Sequence, residues 1–268
     1  RVHRDELAAA IHHVEAERLH GIESTEELVA SPWWSTVEVL DVGFDPLLQC
    51  SPTLLSVRVL DSAAFALGNR GRGLGIEASP PRPRVTSLSL TVHELSALTE
   101  LFRSEKFPAL TEITMSLRRV ERPTLDWLDQ PATTRLTRIG IAQEVAGGMG
   151  AVDRTSIDWL IQLWMRVTRS LPNLRTIAGE IVYGSRVDLR IDRTSATTAE
   201  LSVRSASKLH GWLHALQDNL CVLLETLGPV GCRKAYVDVR LATDAFVAAV
   251  NESARLGGVA IEWGKAKS

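Results

Sequence analysis

The sequence predicts an α/β chain in which short parallel strands alternate with helices and stack into one elongated solenoid. We expect the sheet on the concave side and the helices on the convex side. Two observations support this prediction. Apolar residues recur two, five and seven places after a proline or polar residue in six segments of the chain. Between these segments, apolar residues are spaced by three and four, which is the periodicity of an amphipathic helix.

Each of the six segments predicts one strand, because its last two apolar residues alternate with polar ones. Five segments begin with a proline and the other begins with Thr134. A single unit cannot bury its apolar face, whereas stacked units bury a continuous core. The apolar positions are Trp34, Val37 and Val39; Leu54, Val57 and Val59; Val85, Leu88 and Leu90; Leu110, Ile113 and Met115; Leu136, Ile139 and Ile141; and Leu174 and Ile177, with Gly179 in the last position.

Two of the intervening segments have a clear helical face. A strand, a helix and a second strand with a short return form a right-handed crossover, and its repetition places parallel strands side by side. The residues on these faces are Leu95, Leu98, Leu101 and Phe102 in one segment, and Ile157, Leu160, Ile161 and Trp164 in the other.

Residues 30–185 resemble the leucine-rich repeat family, whose hallmark is Leu-x-x-Leu-x-Leu on the strand. The family usually carries Asn or Cys three residues after the last strand leucine, and this chain does not. The resemblance therefore implies the ribonuclease-inhibitor-like group, which includes F-box proteins, rather than the regular extracellular receptors. The six residues at the asparagine position are Val42, Ser62, His93, Arg118, Glu144 and Val182.

The flanking regions extend the pattern, so we expect one solenoid domain over residues 1–268. Residues 1–31 predict an N-terminal helical cap with helices at 6–19 and 25–30, and 32–185 hold the six degenerate repeats. Residues 186–268 predict divergent coils: strands at 187–191 and 200–203, a helix ended by Gly228 and Pro229, a strand at 234–241, a helix capped by Thr243 and a last strand at 259–263.

Composition excludes several classes of function. The formal net charge of −2 argues against a general nucleic-acid binder, and no apolar run is long enough for a membrane helix. Three cysteines do not make a disulfide framework in a chain of this length. We expect a cytoplasmic or nuclear protein that binds neither nucleic acid nor membranes, and the sequence does not indicate its oligomeric state.

The motifs that suggest chemistry are incomplete, so we expect no catalytic residue, metal or cofactor. The loop from Gly68 to Gly75 is rich in glycine and arginine but lacks the Gly-Lys-Ser/Thr ending of a phosphate-binding loop. His210 and His214 share a helix face, yet the glutamate of a His-Glu-x-x-His zinc site is missing. The alternative function is an α/β hydrolase or transferase whose site is assembled around this histidine pair or this loop.

The remaining candidate is a binding surface formed by strand residues that face away from the helices. We predict a non-enzymatic protein–protein interaction module, and the family resemblance implies the substrate-recruiting part of an F-box-like ubiquitin ligase adaptor. Leu40 and Leu60, with Arg58 nearby, are the expected hot spot. The predicted partner-binding residues on the concave face are Glu38, Leu40, Arg58, Leu60, Glu112 and Arg138.

Overall fold

The computed structural model describes the backbone of residues 13–16, 37–42, 56–67, 81–92, 96–117, 125–144, 162–167, 171–182, 186–205 and 213–264. The chain divides into two compact units, Arg1–Leu136 and Thr137–Ser268. We call them the first unit and the second unit and describe each by itself.

The first unit holds a sheet whose strands follow one another in chain order, and every pairing among them is parallel. A helix, α1 (Ser96–Arg103), connects the fourth and fifth strands as a crossover. The alternation of apolar residues thus produces the predicted strand–helix–strand unit. The strands are β1 (His13–Ala16), β2 (Val39–Val42), β3 (Val59–Leu67), β4 (Ser87–Val92) and β5 (Glu112–Leu117).

The core of the first unit lies between this sheet and the connecting segments. Leu98, Leu101 and Phe102 of α1 are buried, as the helical spacing predicts. Trp127 is 1% exposed in the 3-10 helix Asp126–Asp129, and its ring stacks on that of Phe102 at 5.6 Å between centroids. A second 3-10 helix, Pro131–Arg135, follows directly.

The strand register corrects the alignment of the first two repeats. Leu60 pairs with Leu88, and Leu88 pairs with Ile113. The third and fourth repeats are therefore aligned as predicted, whereas the first two are displaced by three residues. In the corrected frame Val37 and Val57, both buried, are the first apolar residues of their repeats. The pattern Val-x-x-Leu-x-Val at residues 37–42 then matches Val-x-x-Leu-x-Leu at 85–90.

A second correction concerns the N-terminal cap. The spacing of apolar residues predicts a helix over 6–19, but His13–Ala16 form strand β1, which pairs in parallel with β2. The four residues alternate polar and apolar, so a strand that adds to an existing sheet edge competes with the helix. The predicted helix at 25–30 lies outside the described residues.

The second unit also follows chain order, but two of its pairings are antiparallel. The sixth and seventh strands pair in parallel, the eighth is antiparallel to both of its neighbours, and parallel pairing resumes from the ninth strand to the eleventh. The prediction of a wholly parallel sheet is wrong here, because a short polar turn at 194–198 joins the eighth and ninth strands as an antiparallel hairpin. The strands are β6 (Arg138–Glu144), β7 (Thr176–Val182), β8 (Arg186–Arg193), β9 (Ala199–Ser205), β10 (Cys232–Val239) and β11 (Ala260–Trp263).

Helices cover one face of the sheet in the second unit. Residues 162–167 are helical, and α2 (Leu213–Leu227) and α3 (Asp244–Gly257) are the crossovers on either side of β10. Leu223 of α2 lines a small cavity with Ile177, Leu189 and Leu201 of the sheet, which places α2 on this face. The predicted cap of α3 is confirmed, since Thr243 Oγ1 accepts a hydrogen bond from the Phe246 amide at 3.2 Å.

Glycine permits the close approach of α2 and α3. A Cβ atom at Gly257 would lie 2.3 Å from the Leu224 carbonyl oxygen, and one at Gly228 would lie 1.9 Å from the Gly257 carbonyl oxygen. The glycines that end the two helices thus also bring their C-terminal ends into contact.

The prediction of an α/β chain is confirmed, and most of the strand pairing is parallel.

Candidate functional site

The open face of the second unit presents the largest described set of polar strand side chains. Along β9, and along β10 from Ala235 onward, every second residue is buried on the helix side, so the residues between them face away from the helices. We call this surface the open face of the second unit. It comprises Arg138; Thr176 and Ala178; Asp188, Arg190 and Asp192; Glu200, Ser202 and Arg204; Lys234, Tyr236 and Asp238; and Glu262.

A hydrogen-bonded network joins β7 and β8 on this face. Thr176 Oγ1 donates to Asp192 Oδ1 at 2.7 Å, and Arg190 Nε donates to Asp192 Oδ2 at 2.6 Å. Both carboxylate oxygens of Asp192 are therefore occupied. The network fixes the orientation of the Arg190 side chain, which is 57% exposed.

The neighbouring strands carry an ion pair and a cation–π pair. Lys234 Nζ lies 2.8 Å from Glu262 Oε2, and this hydrogen bond raises the pKa of the lysine above its ordinary value. The guanidinium carbon of Arg204 lies 5.6 Å from the centroid of the Tyr236 ring. Tyrosine and arginine are enriched among the residues that dominate protein interfaces, so this pair is the strongest candidate anchor on the face.

The first unit places two predicted residues, Glu38 and Arg58, in direct contact. Arg58 Nη2 donates to Glu38 Oε2 at 2.6 Å, and the Arg58 amide donates to the Glu38 carbonyl at 2.8 Å. The side chains are 60% exposed for Arg58 and 39% for Glu38. An exposed pair of this kind contributes about 0–1 kcal/mol to stability.

The predicted hot spot of Leu40 and Leu60 lies in a different register row. The two residues pair with each other across β2 and β3, and Leu60 pairs with Leu88, which is 1% exposed. Their positions thus belong to the row of buried residues rather than to the polar row. Their side chains lie outside the described set, so their exposure stays a prediction, and the register gives it no support.

The other two predicted residues lie on different units. Glu112 is half-buried at the start of β5 and pairs with Ser87. Its neighbours on the first unit's polar rows, Ser87, Ser89, Thr114 and Ser116, are small hydroxyl residues, all half-buried. Arg138 is exposed at the start of β6, in register with Thr176. It therefore belongs to the open face of the second unit.

The groups considered for catalysis or metal binding are not brought together in the described part of the chain. His214 is exposed on α2, and its predicted companion His210 lies outside the described residues, as does the loop from Gly68 to Gly75. No three or more His, Cys, Asp or Glu side chains among the described residues are placed to hold a metal ion.

The thiol of Cys232 is buried in β10 beneath the helices. Burial raises its pKa to about 11, although backbone hydrogen bonding at Lys234 and Leu201 acts in the opposite direction. A thiol that stays protonated at neutral pH is a poor nucleophile. This side chain is therefore a packing group.

A cleft of about 730 Å³ lies beside the C-terminal end of α1 in the first unit. Arg103, Glu105 and Arg135 line it together with Phe102 and three residues of the second 3-10 helix. Arg103 pairs with Glu100, and Arg135 donates to the carbonyls of Pro108 and Ala132. Both guanidinium groups thus already have partners, and no described histidine or cysteine lines the cleft.

Sequence reasoning missed the residues that matter most on the open face of the second unit, namely Glu200, Arg204, Tyr236 and Asp238. The signal was present, because the alternation of β9 and β10 was recognised as strand periodicity. Extending the polar-row assignment beyond residue 185 would have found them.

Two further findings bear on the class of protein. Among the described residues, no helix combines the length and the apolar character that crossing a membrane requires. Comparison with known proteins finds no match among family models, curated proteins or solved structures.

Proposed function

We propose that this chain is a non-enzymatic module that binds another protein through the open face of the second unit. The observation that supports it is the Arg204–Tyr236 pair, held at 5.6 Å between guanidinium carbon and ring centroid on a sheet face that no described helix covers. The side chains around the pair are already positioned by the Asp192 network and the Lys234–Glu262 ion pair. Binding then costs little side-chain conformational entropy, because these side chains are already ordered.

A narrower form of the proposal follows from the leucine-rich repeat resemblance. In that form the chain is a solenoid that recruits substrates to a ubiquitin ligase in the cytoplasm or nucleus, with an adaptor segment elsewhere in the protein. The parallel crossovers on both sides of β10 and the Val-x-x-Leu-x-Val pattern of the first repeat support it.

The proposal is tested by affinity capture with the whole chain and two double variants. Arg204→Ala with Tyr236→Ala removes the central pair, while Arg166→Ala with Arg255→Ala removes two exposed arginines that lie on helices. We expect the first variant to lose the specific partners by about tenfold or more, as for a hot-spot residue. Equal recovery of the same partners by the wild type and the first variant would contradict the proposal.

A further inference from the structure

We infer that the segment bound by the open face of the second unit is a basic, extended stretch of polypeptide, and that Glu200 and Asp238 make its charge contacts. This inference rests on the proposed function, which it deepens by naming the chemistry of the partner.

The basic groups of the face are largely engaged within the chain. Arg190 bonds Asp192 at 2.6 Å, Lys234 bonds Glu262 at 2.8 Å, and Arg204 lies over the Tyr236 ring. Each of these contacts occupies a cation that would otherwise attract an acidic partner.

Two carboxylates of the face remain available. Across the described part of the chain, neither Glu200 nor Asp238 forms a hydrogen bond or a close ion pair. Glu200 is exposed and lies in register between Asp192 and Lys234, but the lysine bonds Glu262 instead. A like charge directly across an antiparallel pair is destabilising. A cation from a partner would relieve the repulsion between Glu200 and Asp192.

Gly264 packs directly beside the Asp238 side chain. A Cβ atom at Gly264 would lie 2.8 Å from Asp238 Oδ1, so any other residue at 264 would crowd the carboxylate. The Gly264 amide donates to the Val237 carbonyl at 2.8 Å, which holds this backbone beside Asp238. The half-buried carboxylate is thus held beside this backbone, with part of its surface exposed.

The spacing of the two carboxylates indicates how the partner lies. Glu200 is in register with Lys234, four residues before Asp238 on β10. At roughly 3.3 Å per residue, the two acidic groups are about 13 Å apart along the strand direction. An extended segment bridges that distance with basic side chains at positions i and i+4, which point to the same side. The residue at i+2 then faces Tyr236 and Ser202.

The same charges disfavour the opposite chemistry. A nucleic acid or an acidic peptide would place its anionic groups against Glu200 and Asp238. Of the four cations on the face, all but Arg138 are already engaged within the chain. Repulsion between like charges thus selects against these partners.

The test is selection from a library of nine-residue peptides with randomised positions, using the whole chain as bait. One variant, Glu200→Gln with Asp238→Asn, removes both carboxylates. Asp218→Asn with Asp244→Asn changes the net charge equally but alters exposed positions on α2 and α3. A third variant, Tyr236→Ala, reports whether the face binds peptides at all.

We expect the wild type and the helix control to enrich peptides with Lys or Arg four residues apart, and the Gln/Asn variant to lose that enrichment by about tenfold. The enrichment should weaken with added salt. Equal basic enrichment by the Gln/Asn variant overturns the inference. Enrichment of acidic or apolar peptides that depends on Tyr236 overturns the inference but supports the proposed function. Selection of no peptide by the wild type counts against both.

Discussion

The two units use the same strand alternation but carry different chemistry on their polar rows. In the first unit these rows hold Ser87, Ser89, Thr114 and Ser116, whereas the equivalent rows of the second unit hold Arg204, Tyr236 and several paired charges. The buried rows are alike in both, with valine, leucine and isoleucine less than about a tenth exposed. Because the buried rows supply the core of each unit, the polar rows can differ without a change of fold. The candidate site lies on the second unit.

Shortening a core leucine in each unit tests whether the two buried rows contribute equally to stability, and it should lower the free energy of unfolding the most. Leu88→Ala in the first unit and Leu201→Ala in the second each remove a side chain that is 1% exposed. We expect each to lower the free energy of unfolding by about 2–5 kcal/mol, measured by urea denaturation. The matched polar-row changes Ser89→Ala in the first unit and Ser202→Ala in the second should each cost under about 0.5 kcal/mol. A small effect of Leu88→Ala alone would show that the first unit lacks the packed core described above.

Alkaline pH provides a probe of the second unit. The Cys232 thiol ionises near its ordinary pKa of 9.0 in the unfolded chain but at about 11 when buried. The unfolded state therefore loses the proton first, and the contribution of the thiol to stability, complete below pH 9, falls as the pH rises toward 11. At about 1.4 kcal/mol per unit, the loss is about 2–3 kcal/mol.

The comparison that isolates this thiol is the wild type against Cys232→Ala. The difference in unfolding free energy between the two should shrink across that pH range. A difference that stays constant from pH 8 to pH 11 would mean that the thiol titrates normally and is not buried.

The close contact of α2 and α3 gives the next largest effect. Gly257→Ala would place a methyl group 2.3 Å from the Leu224 carbonyl oxygen, so the helices must separate. We expect a loss of about 1–3 kcal/mol in unfolding free energy, as for other overpacked sites. Thermal denaturation followed by circular dichroism measures it. A stability equal to that of the wild type would show that the helix ends are farther apart.

Substitutions just after one helix in each unit should change the free energy of unfolding the least. α3 is followed by Gly258 with φ of 68°, while Glu105, just after α1, adopts φ of 54° without being glycine. Glu105→Gly should stabilise the chain by roughly 0.5–1 kcal/mol, and Gly258→Ala should destabilise it by a similar amount. The two changes should therefore shift the midpoint of denaturation in opposite directions. Shifts in the same direction would contradict the left-handed conformation of one of the two residues.

Much of the fold follows from periodicity in the sequence. The helix face of Leu98, Leu101 and Phe102, the Thr243 cap and the Gly258 helix end were predictable because each depends on residues close together in the chain. The register of the first two repeats was not predictable, because Val59 and Leu60 are both apolar and either could lie on the buried row. Only pairing with Leu88 of the next strand decides between them.

The type of candidate site, a row of strand side chains facing away from the helices, was predictable, but most of its residues were not. Of the six predicted binding residues, Arg138 lies on the open face of the second unit, and Glu38 and Arg58 pair with each other in the first. The hairpin of β8 and β9 brings Asp188, Arg190 and Asp192 beside Ser202 and Arg204. This juxtaposition depends on strand pairing between segments, which local sequence patterns do not encode.

We expect the partner to bind on the open face of the second unit rather than on the polar rows of the first. Ser202 and Ser89 are matched positions for a test, because each is a half-buried serine in the middle of its strand. A photoreactive benzoylphenylalanine at either position, irradiated with the nine-residue peptide library, reports contact directly. We predict adducts at position 202 at several times the yield at position 89. Equal yields, or a higher yield at position 89, would contradict the account.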